Sequence, residues 1–191
     1  MINRRAIFTL AAGAVAAAAM PGLATAQSGN SPSAATIQRR LEAAPRRALR
    51  PERRVSVEEL KRRPEIRRDY APSIDIQTIN FAFGSAEIPY REFYKVEQIA
   101  IAMRNILRRR RHEIFLIEGH TDAVGSNRSN QILSEQRARS LARVLNSEFG
   151  IPWRAMETVG YGEEFLLVPV PYEEWRNRRV TLRRVTDIVR R

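Results

Sequence analysis

The chain has 191 residues, a formal net charge of +12 from 33 Lys or Arg against 21 Asp or Glu, no cysteine and two histidines. That length accommodates one ordinary domain with appendages. The lack of cysteine excludes a disulfide framework and a lipid joined to a cysteine. The two histidines form no His-Glu-x-x-His motif and no phosphate-cradling glycine loop is present, so neither an enzyme nor a metal or cofactor site is expected.

Residues 1–26 read as an export signal: Arg4 and Arg5, an apolar run from Ile7 to Ala19, and Ala24-Thr25-Ala26 as a small-x-small cleavage pattern. The run is shorter than the roughly 20 apolar residues of a membrane span, so none is expected in the mature chain. Residues 27–70 are Ser/Gly/Pro/Ala-rich and then arginine-rich, with twelve basic and six acidic residues, half of the excess charge. They read as a basic, largely disordered linker, with one short helix over 57–63 started by the capping-box spacing Ser56 to Glu59. As a charged tether, the segment could attract anionic envelope polymers. With an export signal in front, the charge argues against a nucleic-acid partner.

Residues 71–191 carry the periodicities of a folded domain. Ile74 and Ile76, then Ile79, Phe81 and Phe83, alternate with polar or small residues as in a half-buried strand with a bulge. From Tyr90 to Arg110 the period changes, with Phe93, Val96, Ala100, Met103 and Leu107 on one helical face, closed by the Arg108–Arg111 run. Ile114 to Ile117 is a short buried strand, followed by the turn-forming stretch Glu118 to Ser126. A long helix then runs to Phe149, where Gly150-Ile151-Pro152 breaks it. Strands follow at 155–161 and 178–185. The connection between them, 164–175, is unusually apolar and reads as a loop over the sheet edge or, alternatively, a partner-binding patch. The order βαβαββ implies an α/β two-layer sandwich with both helices on one face of a mixed sheet.

The long helix contains one anomaly. With Leu133 at 0° and about 100° per residue, Val144, Leu141, Leu145 and Ala138 span about 20° to 140°, and Arg137 falls near 40° inside that sector. Asn130 and Ser134 lie beside it. A core-facing guanidinium needs an anion, and the nearest in sequence is Asp122 in the preceding loop. The two could form a structural ion pair, or line a pocket of separated charges for a zwitterionic ligand.

The run GHTDAVGSNRSNQILSEQRARSL, Gly119 to Leu141, resembles the signature of the OmpA-like peptidoglycan-binding domain, with Asn130, Leu133, Ser134, Arg137 and Ala138 at its marked helix positions. Residues 80–88, 159–163 and 177–180 resemble the flanking strands of that family, so the likeness covers roughly 74–185. The resemblance implies non-covalent binding of the diaminopimelate residue of the peptidoglycan stem peptide. Asp122 would take its ammonium group and Arg137 its carboxylate, with support from Thr121, Gly125, Asn130 and Ser134. It also implies a periplasmic, peptidoglycan-associated protein at the outer membrane, with envelope proteins as further partners. A flagellar stator subunit of this kind would need a membrane span bearing a carboxylate, which the apolar segment lacks.

Overall fold

The computed structural model describes residues 31–45, 47–77, 79, 81 and 84–190. The expected export signal lies outside this range. Four strands form one mixed sheet: β1 (Ser73–Ile76), β2 (Phe115–Gly119), β3 (Met156–Gly160) and β4 (Val180–Arg184), in the order β1-β4-β2-β3. β4 runs antiparallel to both β1 and β2, and β2 runs parallel to β3. The first strand is shorter than its alternation suggests. Ile76 pairs with Val180, the first residue of β4; Ile79 and Phe81 lie outside the strand, and Asn80, Ala82 and Phe83 lie outside the described residues.

Two long helices connect the strands, α4 (Phe93–Arg109) and α5 (Asn127–Ser147). Val96, Ile99, Ala100, Met103 and Ile106 of α4 meet Leu141, Ala142 and Leu145 of α5 over Phe115 and Ile117 of β2 and Leu182 of β4. The parallel β2–β3 pair requires a crossover, and α5 supplies it. Its start is fixed by a reciprocal cap in which the Ser126 hydroxyl accepts the Ser129 amide and Ser129 Oγ accepts the Ser126 amide.

The buried stripe of α5 is displaced from its large apolar residues. Leu133 and Val144 are only half-buried, while Asn130, Ser134 and Arg137 are buried with Ala138, Leu141 and Leu145. The cause is how closely the helix approaches the sheet. A Cβ at Gly119 would lie 2.1 Å from the Ser134 carbonyl oxygen, and one at Gly160 would lie 2.3 Å from the Glu135 nitrogen. Only glycine on the strands, and a small residue on the helix, permits that contact.

The largest departure from the sequence reading concerns residues 31–45 and 47–70, which are folded rather than a solvated tether. They form α1 (Ala34–Glu42), α2 (Val57–Arg62) and α3 (Pro64–Tyr70). Ile37 and Leu41 of α1 enter the core beneath α4, whereas Leu60 joins Leu116, Val185, Ile188 and Val189 on the opposite sheet face. The segment is then stitched to the chain's other end by a bridge between Val55 and Val189. A helix-bearing cover on the second face is thereby added to the two-layer sandwich. Part of the segment's charge is also taken up, in the pairs Lys61–Glu157, Arg63–Glu59, Arg47–Asp69 and Arg67–Glu118. Its large apolar residues are few but placed at helical spacing, which an average over composition conceals.

Candidate functional site

At the C-terminal edge of β2 the chain leaves the sheet, and alternate residues go to opposite faces. His120 continues the side that holds Glu118, while Thr121 and Asp122 turn into a cavity of about 550 Å³. Thr121, Asp122, Val124 and Gly125 form one wall of it, and Asn130, Leu133 and Arg137 of α5 form another. Phe81 and Gly84 close the third side, and Glu173 and Arg178 form the rim. At Gly125 the backbone has φ +108°, a conformation open to glycine and costly for other residues.

Asp122 and Arg137 thus share one cavity, with 7% and 6% of their surfaces exposed. They do not pair with each other. The partner of Asp122 is Arg178, whose Nη1 donates to Oδ2 at 2.8 Å and also to Glu173 at 2.8 Å. Among the described residues, Asp122 Oδ1 receives only the Val124 amide, at 3.4 Å. Arg137 lies over the Phe81 ring, 4.9 Å from its centroid, and its Nε donates to the Ser85 carbonyl at 3.1 Å. Its two Nη groups have no partner among the described residues. Burial pushes the Arg137 guanidinium down to about 10; repulsion from Arg178 adds to this and Asp122 opposes it, so the group stays charged at neutral pH. The geometry therefore leaves one half-free carboxylate oxygen and one open guanidinium fork facing the same space.

The remaining expected residues divide between the cavity and its support. Asn130 Nδ2 donates to the carbonyls of Asp122 and Val124 and to Glu163, which pins the loop against the helix. Thr121 lines the cavity, and its hydroxyl is buried without a hydrogen-bond partner among the described residues. Ser134 does not line the cavity. Its hydroxyl donates to Gln131 O and accepts the Gly162 amide at 2.8 Å, so it ties α5 to the turn after β3. Sequence reasoning missed Arg178 and Glu173. Strand register could have located the first: Gly119 pairs with Val180, so in antiparallel pairing the residue two before Val180 faces the residue two after Gly119.

Behind the site, on the other face of the sheet, buried charges support the loop. Glu118 Oε1 holds Arg67 at 3.0 Å and Arg183 at 2.9 Å, and Arg67 lies 4.2 Å over the Tyr161 ring. Next to them is His120, whose Nε2 lies 3.3 Å from Thr181 Oγ1; because that hydroxyl donates to Asp75, the proton belongs on Nε2. Burial, and then Arg179, Arg183 and Arg67, hold His120 well below its ordinary value of 6.5. The unfolded chain takes up a proton near that value and the folded chain does not. Stability contributed by neutral His120 is therefore complete above the ordinary pKa and declines below it, by about 1.4 kcal/mol per pH unit until the folded value is reached. Urea midpoints at pH 7.5 and 5.5 should differ more for the native chain than for His120→Gln.

A family model described as the OmpA family matches residues 80–179. Over 104 residues the chain is 32% identical to outer membrane porin F of Pseudomonas aeruginosa, a match covering 53% of this chain and 29% of that protein. Over 91 residues it is 32% identical to outer membrane protein A of Buchnera aphidicola, covering 48% of this chain and 25% of that one. The chain thus matches less than a third of the length of these relatives. In fold it is similar to the periplasmic domain of Helicobacter pylori MotB, with TM-score 0.51 and 21% identity over 61% of this chain and 77% of that one. No helix among the described residues is long and apolar enough to cross a membrane. Since the family match takes in more than half of the sequence and runs from Phe81 to Arg178 across every wall of the cavity, this chain belongs to the OmpA family.

Proposed function

We propose that this protein binds peptidoglycan non-covalently, through the diaminopimelate residue of the stem peptide, and anchors itself to the cell wall in the periplasm. One observation carries the reading: Asp122 and Arg137 line a single cavity with opposite charges that do not neutralise each other. The far end of diaminopimelate bears an ammonium and a carboxylate on one carbon. Its ammonium group fits against Asp122 Oδ1, while Oδ2 stays with Arg178. Its carboxylate fits the two Nη groups of Arg137, which have no partner among the described residues and whose planar fork makes two parallel hydrogen bonds where a lysine would make one. Phe81 beneath the guanidinium keeps the fork in place. Membership in the OmpA family supports the same reading.

Sedimentation with purified sacculi tests it. The mature chain should sediment with sacculi containing diaminopimelate and much less with sacculi carrying lysine there. Asp122→Ala and Arg137→Ala should each lower binding by tenfold or more, on the order of 2 kcal/mol, the scale for truncating one partner of a buried charged contact. Their urea midpoints should stay close to that of the native chain. Equal sedimentation of all three proteins would refute the pocket.

A further inference from the structure

We infer that the opposite end of the molecule carries a second binding surface, an arginine-lined groove that docks on the phosphate headgroups of an anionic lipid bilayer. The groove, about 700 Å³, lies between the C-terminal end of α4 and the turn that follows α5. Arg104, Arg108, Arg111 and Arg154 line it, and all four are exposed. No acidic residue lines it. The carboxylates on neighbouring elements are committed elsewhere: Glu42 pairs with Arg109, and buried Glu113 pairs with Arg184 and Arg110. Glu148, at the end of α5, is exposed and accepts from Ser147, away from the groove. Arg104, Arg111 and Arg154 have no ion-pair partner among the described residues, and Arg108 is held only by Asn105.

Two features favour a bilayer over a soluble anion or an acidic protein. The floor is apolar, with Ile101, Leu107, Ile151 and Pro152 between the guanidinium groups. Beside it Trp153 is 54% exposed, although an indole is large and apolar enough to be buried where a protein has room for it. A cationic rim, an apolar floor and an exposed Trp suit the boundary between headgroups and acyl chains, where the phosphates meet arginine and the amphipathic ring partitions. The groove is also well separated from the cavity at Arg137. Ten positions of α5 lead from Arg137 to Ser147 at the helix end beside the groove, roughly 15 Å at helical rise, so both surfaces can be occupied at once.

Vesicle sedimentation and tryptophan fluorescence test this on the mature chain. Trp153 and Trp175 are the two tryptophans of the sequence, so Trp175→Phe leaves Trp153 as the reporter. Vesicles of phosphatidylcholine with 30% phosphatidylglycerol, on the order used to mimic an anionic leaflet, should sediment the protein and shift Trp153 emission to shorter wavelength. Pure phosphatidylcholine should do neither. Each arginine removed should lower the partition about fivefold, so Arg104→Ser with Arg154→Ser should come close to abolishing it. The same double replacement should leave sacculus sedimentation unchanged, which separates this surface from the peptidoglycan cavity. Vesicle binding that survives the double replacement, or proceeds without an emission shift, would overturn the assignment. So would binding that a millimolar level of inorganic phosphate removes completely, since a compact anion would then be the true occupant.

Discussion

A chain cut back to begin at residue 71 is expected to lose cooperative folding or to melt about 15 °C or more below a chain that begins at residue 27. The cut removes Ile37, Leu41 and Leu60, each at most 1% exposed, from two separate apolar clusters. Fully burying such a side chain contributes about 1.5–3 kcal/mol, so together they approach the 5–15 kcal/mol that keeps a typical domain folded. It also uncovers Leu116, Val185, Ile188 and Val189 on the second sheet face and strips Glu118 of Arg67. Far-UV circular dichroism on heating, with a dye that reports exposed apolar surface, would measure the effect. A truncated chain that melts like the long one would show that the segment is a tether after all. The result bears on function, because a binding experiment on the shortened chain would otherwise report misfolding rather than the part played by positive charge.

Glu118→Gln is expected to destabilise the fold by about 3–5 kcal/mol, because it leaves the charges of Arg67 and Arg183 uncompensated at a buried position. Glutamine keeps the shape and an acceptor oxygen, so the loss measures charge rather than volume. Arg67 cannot relax outward: Nη1 is held by the Leu60 and Lys61 carbonyls at 2.9 and 2.8 Å, and its guanidinium lies over Tyr161. Burial already pushes Arg67 below its ordinary range, with Glu118 the largest opposing influence. Replacing Arg67 by methionine in the same chain should therefore recover much of what Glu118→Gln loses. Urea unfolding of the two single variants and the double variant closes the cycle. A loss under about 1 kcal/mol for Glu118→Gln would mean that water screens the cluster. The cluster also has a positional consequence. Glu118 and His120 lie directly before Thr121 and Asp122, so the charges that fasten α3 to the sheet also hold the strand end from which the cavity loop departs.

Much of this protein was legible in its residues. The alternation at Ile74 and Ile76, the three-and-four spacing in α4 and the breaker Gly150-Ile151-Pro152 follow from local geometry, and the elements form where those patterns place them. Arg137 was recognisable because a guanidinium inside an apolar helical sector violates the pattern, and the structure does bury it. Its counterpart was harder to identify. The nearest acid in sequence shares the cavity, but the residue that grips that acid, Arg178, comes 56 positions later, brought close only by the antiparallel pairing of β4 with β2. Composition misjudged residues 31–70 for a related reason: a segment with few large apolar side chains looks unable to fold, yet Ile37, Leu41 and Leu60 need only two faces of an existing sheet and helix layer to bury themselves. Ser134, by contrast, sat at the expected helix position and proved to be a spacer, because two strand glycines bring the backbone too close for anything larger. By itself the sequence determined the periodicity, the caps and the one charge out of place, all properties that neighbours along the chain decide. Which charge meets which, and which face of the sheet remains to be covered, depended on contacts between distant residues, and only the folded chain could decide them.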